Sequence, residues 1–217
     1  MTPEITAALT PTVVGAAAVA ALLLVALAYD AVGALVTIAH EAGHVVFSAA
    51  SGHRVQYFEV KMGGSGLTSR EDRGWNLGRI LLGAAGYTTP PLLGLGGAAL
   101  LAAGKAWPLL WTVVVLLVLA LIKAEKEWTT FVVLLFATAT GYVALYGAPP
   151  LQAGYAAGLV WILLFGGLRS AAQSSTDNSS DAAKLAHDTL IPRKLWKAGF
   201  VVLALFCVWK GFILLAP

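Results

Sequence analysis

The sequence predicts an all-α integral membrane protein. About six to seven transmembrane helices and a small cytoplasmic β-hairpin form one domain over residues 1–217. Three observations lead there. First, 59% of the residues are hydrophobic and 12% charged, against about 25% charged in a soluble domain. Second, the apolar residues fall in runs near the length of about 20 residues that a bilayer crossing needs. Third, the basic residues gather in alternate connectors, as the positive-inside rule demands of a multi-pass protein.

The runs follow one another closely. The first covers Pro11 to Ala28 and the second Ala31 to Ala50, with Tyr29-Asp30 between them. The others are Leu77 to Ala103, Trp107 to Ile122, Trp128 to Tyr146, Leu151 to Leu168 and Leu195 to Leu215. Gly104 and Gly147-Ala148-Pro149-Pro150 break the chain between runs. Trp107, Trp111, Trp128, Trp196 and Trp209 lie near run ends, where an amphipathic ring suits the membrane interface. Only Glu4 is charged before the first run, which therefore reads as a span and not as a cleavable signal. The single cysteine, Cys207, rules out an internal disulfide and a cysteine-based metal site.

Seven spans place Arg54, Lys61, Arg70, Arg73, Arg79, Lys123, Lys126, Arg169, Lys184, Arg193, Lys194 and Lys197 on one side. That side is expected to be cytoplasmic, together with the N-terminus. Two of its loops are long enough for structure of their own. In the first, Arg54 to Met62 alternates and Gly63-Gly64-Ser65-Gly66 follows, the pattern of a β-hairpin. The second has a polar stretch at 173–180 and then opens a short helix at Asp181.

The second run carries the chemistry: His40-Glu41-Ala42-Gly43-His44. Residues i and i+4 share one face of a helix, so the two imidazoles can meet one metal ion. Glu41 stands beside the pair, able to reach a metal-activated water without binding the metal. This is the HExxH arrangement of zinc metalloproteases. Placing each of these ionisable residues in a membrane helix costs about 2.5 kcal/mol or more, a cost that function explains better than structure. Gly43 lets a second helix approach closely. A third protein ligand is needed. A histidine ligand at position 50 is excluded by Ala50, and Glu59 and Glu71 lie in the expected hairpin loop. Asp181 is favoured, because its loop lies on the side of the His44 end and it begins a helix. An ordinary helix cap is its bland alternative, and Asp177, Asp188 and His187 are fallback ligands.

The motif helix resembles the first catalytic helix of the site-2 proteases, the intramembrane zinc metalloproteases. The resemblance extends through Gly64-Ser65-Gly66-Leu67-Thr68, Ala84-Ala85-Gly86-Tyr87-Thr88-Thr89-Pro90 and Ser180-Asp181-Ala182. The order of these stretches resembles a compact bacterial branch without a PDZ domain. The resemblance implies a multi-pass enzyme of the cell membrane with one Zn2+ per chain, held by His40, His44 and an aspartate from a later segment. Asp181 stands in that place, without the family's usual Leu-Asp-Gly context. It implies membrane-protein substrates, hydrolysed in or near their transmembrane segments, with Glu41 as general acid/base. It also implies an edge strand that pairs with unwound substrate, so Val55, Tyr57, Phe58, Gly64, Gly66 and Tyr87 are the expected substrate-binding residues. The bilayer is the other expected partner, nucleic acid is not one, and the sequence leaves the oligomeric state undefined. Two rivals use the same histidines: a zinc transporter or sensor, and a non-catalytic relative that binds partners. Few ionisable residues in the other spans and an intact Glu41 count against them.

Overall fold

A computed structural model describes residues 9–50, 55–60, 66–70, 76–175, 177 and 180–215. Every one of the seven apolar runs is helical. The elements in chain order are α1 (Pro11–Leu27), α2 (Tyr29–Ala50), β1 (Val55–Val60), β2 (Gly66–Arg70), α3 (Asn76–Ala102), α4 (Ala106–Leu121), α5 (Glu127–Tyr146), α6 (Pro149–Gln173), α7 (Asp181–Thr189) and α8 (Arg193–Leu215).

Local chemistry sets the boundaries. Thr10 caps α1 by accepting from the Val13 N–H at 3.3 Å, and Pro11 starts the helix, where its missing N–H costs nothing. Ala28 leaves helical geometry at φ −133°, which separates α1 from α2 by one residue. Arg169 of α6 then donates to the carbonyls of Val25 and Ala26 and lies 4.5 Å over the Tyr29 ring. Two of the last carbonyls of α1, which have no helical partner, are thereby satisfied. Gly104, at φ 70°, ends α3 with a reversed turn in which Lys105 N–H donates to Leu100 O at 2.8 Å. Pro149 and Pro150 start α6 directly after the Gly147 break.

α3 and α6 form the centre. Trp161, Leu164 and Val160 of α6 are almost fully buried, and glycines let neighbouring helices close on them. A side chain at Gly94 would meet Leu164, one at Gly97 would meet Val160, and one at Gly167 would meet Pro91. Where lipid removes the hydrophobic drive between helices, such small residues permit the close packing that replaces it. The periphery is apolar: Leu27, Leu119, Phe131, Val202 and Phe206 are all exposed. A water-facing surface would reverse that pattern.

Among the described residues, four helical stretches are long and apolar enough to cross a membrane: Tyr29–Ser48, Glu127–Tyr146, Pro149–Gln173 and Arg193–Leu215. Pro11–Leu27 and Ala106–Leu121 are shorter apolar helices. In α3, the glycines, Thr88-Thr89 and Pro90-Pro91 dilute an otherwise apolar composition.

β1 and β2 pair antiparallel, with Phe58 opposite Thr68 and Val60 opposite Gly66, and the register shifts between Val55 and Tyr57. They form a two-stranded sheet beside α2. Gly64 lies outside the described residues, as does Glu71.

Candidate metal centre

α2 brings His40 and His44 to one face, and their Nε2 atoms are 3.3 Å apart. The third group comes from far along the chain. Asp181 is the first residue of α7, and its Oδ2 lies 3.3 Å from His40 Nε2 and 3.2 Å from His44 Nε2. The three side chains offer ligand atoms that all lie within 4.8 Å of one another.

The donor set fits a zinc ion on two counts. Donors about 2.0–2.1 Å from one tetrahedral ion lie about 3.3–3.4 Å from each other, and the three separations above match that edge. The tautomer of one ring is also fixed. His44 Nδ1 is 2.9 Å from the Leu82 carbonyl oxygen, which can only accept, so Nδ1 carries the proton. In the neutral ring Nε2 then presents its lone pair to the other donors. A ring nitrogen held this way is the usual partner arrangement behind a metal-bound histidine.

Several contacts bring Asp181 into place. Ser180 caps α7 by accepting from the Ala183 N–H at 3.2 Å. Leu185, 1% exposed, packs onto α3 at Gly83, where an added Cβ would stand 3.0 Å from its Cγ. Arg79 of α3 is 3.9 Å from Asp188, and Trp196 Nε1 of α8 donates to Thr189 Oγ1 at 3.1 Å. α7 is therefore fastened to α3 and α8. Burial alone would raise the Asp181 pKa. With no metal between them, protonated His40 and His44 rings donate to it, and their hydrogen bonds and charges outweigh burial and hold the carboxyl well below the ordinary carboxylate range.

α3 forms the wall opposite α2. A Cβ at Gly43 would come within 2.8 Å of the Ala85 carbonyl and of Thr89 Cβ. A Cβ at Gly86 would stand 2.6 Å from His44 Nε2 and would also clash with the His40 ring. Bare backbone thus faces the ligand atoms. Next to it, the Tyr87 ring meets His40 edge-on with centroids 4.6 Å apart and is backed by Phe200 at 5.2 Å. Glu41 is 3% exposed and follows His40 directly on α2.

Of the residues singled out by sequence, His40, His44 and Asp181 come together, with Glu41 and Tyr87 adjoining. Asp177 is exposed and His187 is 88% exposed in its side chain. Asp188 pairs with Arg79 and His187 instead. None of these fallbacks is in the described cluster. Val55, Tyr57, Phe58 and Gly66 lie in the paired strands. Sequence reasoning gave Gly86, Leu82 and Lys184 no role at the metal, although Gly86 lies in the stretch that carries the resemblance and Lys184 among the basic residues of one side; their place there depends on how α3 and α7 meet α2.

The peptidase M50B-like family model matches residues 12–211. The chain belongs to this family. Membership agrees with the resemblance to the site-2 proteases, and together with the four apolar helices it makes this M50B-like chain a membrane protein of a protease family. Neither the curated proteins nor the solved structures contain a significant match to it.

Proposed function

We propose that this M50B-like chain is an intramembrane zinc endopeptidase that hydrolyses peptide bonds in or near the transmembrane segments of membrane proteins. The observation that carries the proposal is the closed triangle of His40 Nε2, His44 Nε2 and Asp181 Oδ2, with edges of 3.2–3.3 Å. One zinc ion per chain would be held there. When bound, it polarises the scissile carbonyl and makes water acidic enough to yield a nucleophile near neutral pH. Glu41 takes the proton from the attacking water and delivers it to the leaving amine. Buried at the ligand helix, it is shielded from the bulk water that would weaken its pull.

The substrate must be unwound before its amide can be attacked, and its freed N–H and C=O groups then need partners. The β1–β2 pair would supply such partners through β-augmentation, with Val55, Tyr57, Phe58 and Gly66 in its strands, Gly64 in the sequence between them and Tyr87 next to His40. Six to seven spans, an N-terminus in the cytoplasm and water entry from that side complete the proposal. It is supported by the segregation of basic residues.

The test is Glu41→Gln in the purified chain with a membrane-protein substrate. Zinc content should remain at the wild-type level while cleavage falls by at least about 10²–10⁴-fold, the usual weight of a general acid/base. Cleavage at the wild-type rate would refute the mechanism.

A further inference from the structure

We propose that Lys184 is a positioning residue that keeps Asp181 ligating through one oxygen only. The two carboxylate oxygens of Asp181 have different company. Oδ2 lies 3.2–3.3 Å from both histidine Nε2 atoms, whereas Oδ1 lies 3.4 Å from Lys184 Nζ. Lys184 is three residues further along α7, on the same face of the helix. An ammonium has three donors and no acceptor, so this contact can only draw Oδ1 away from a metal held at Oδ2.

The consequence concerns the open position of the centre. A catalytic zinc takes three protein donors and leaves a fourth position for water. A carboxylate binding through both oxygens would crowd that position. By holding Oδ1, Lys184 leaves the fourth position free and prevents the carboxylate from rotating. Carboxylate ligands are commonly restrained this way, and loss of the restraining group costs about 10–100-fold in metal affinity. The Lys184 side chain is 48% exposed, so its exchange leaves no cavity in the core.

The inference rests on the metal-centre reading above, and its test separates the two. Full-length wild type, Lys184→Met and Lys184→Arg are compared for zinc affinity and for the visible spectrum with Co2+ in place of zinc. Lys184→Met should bind zinc about 10–100-fold more weakly, and its cobalt absorption should weaken as the ion gains a fifth donor. Lys184→Arg keeps a donor in reach and should restore both readouts in large part. Unchanged affinity and spectrum in Lys184→Met would overturn the assignment, as would an arginine variant no better than the methionine one. A wild type that binds neither metal would refute both this and the metal centre. If the wild type binds metal but cleaves nothing, the endopeptidase reading fails, and the spectra still decide the role of Lys184.

Discussion

At the residue scale, the centre depends as much on a missing side chain as on the three donors. Gly86 brings bare backbone against both imidazoles, and any Cβ there overlaps the ligand atoms. Gly86→Ala should therefore lower zinc affinity at least tenfold although every ligand remains, read by competition with a metal indicator. Wild-type affinity would mean that α3 can retreat without cost. The chemistry of His40, Glu41 and His44 was legible in the sequence, because i, i+4 spacing fixes which side chains share a helix face whatever surrounds it. Gly43 was legible as a close-approach residue for the same local reason, and it does face Ala85 and Thr89. Gly86 was legible only as part of the stretch that carries the resemblance; its contact with both imidazoles depends on α3 being laid across α2. Lys184 is similar, since its significance depends on which oxygen of Asp181 turns inward.

At the element scale, the third donor is delivered by a nine-residue helix, too short to be stable alone. α7 is held by contacts: Leu185 over Gly83, Arg79 to Asp188 and Trp196 to Thr189. Leu185→Ala should cost about 2–5 kcal/mol of stability, the usual range for a buried leucine. It should also weaken zinc binding without touching a ligand, read by thermal unfolding with and without zinc. Equal zinc affinity in the variant would show that Asp181 is held by its own contacts alone. The short helix at Asp181 was legible from its cap, Ser180, and from the polar stretch before it. Its docking partners were not, because Arg79 and Gly83 lie about a hundred positions away in the sequence. The strands make a separate prediction. Proline removes one N–H donor, so single proline substitutions at alternate positions of β1 should reduce cleavage severalfold while zinc content stays constant. Cleavage unchanged in every such variant would exclude substrate pairing at that strand.

At the scale of the whole molecule, the architecture is a helical bundle turned outward. α3 and α6 are wrapped by neighbours, while the outer helices expose leucine, valine and phenylalanine. The apolar runs predicted every large helix, because composition in lipid sorts segments more sharply than periodicity does in water. The run at Leu77 to Ala103 was read as a span like the others, yet α3 is not among the helices long and apolar enough to cross a membrane. Gly86 and Thr89 meet α2, Gly94, Gly97 and Pro91 meet α6, and Gly83 meets Leu185 of α7. That helix lies at the centre because it shapes the metal site on one face and packs on α6 on another.

The central claim is that His40, His44 and Asp181 together form one catalytic zinc site across the two ends of the chain. The direct measurement is the zinc content of the purified full-length protein, wild type beside Asp181→Ala, after dialysis against a weak chelator. One zinc per chain in the wild type and little or none in the variant is the predicted result. Zinc retained in full by Asp181→Ala, or absent from the wild type, would contradict it.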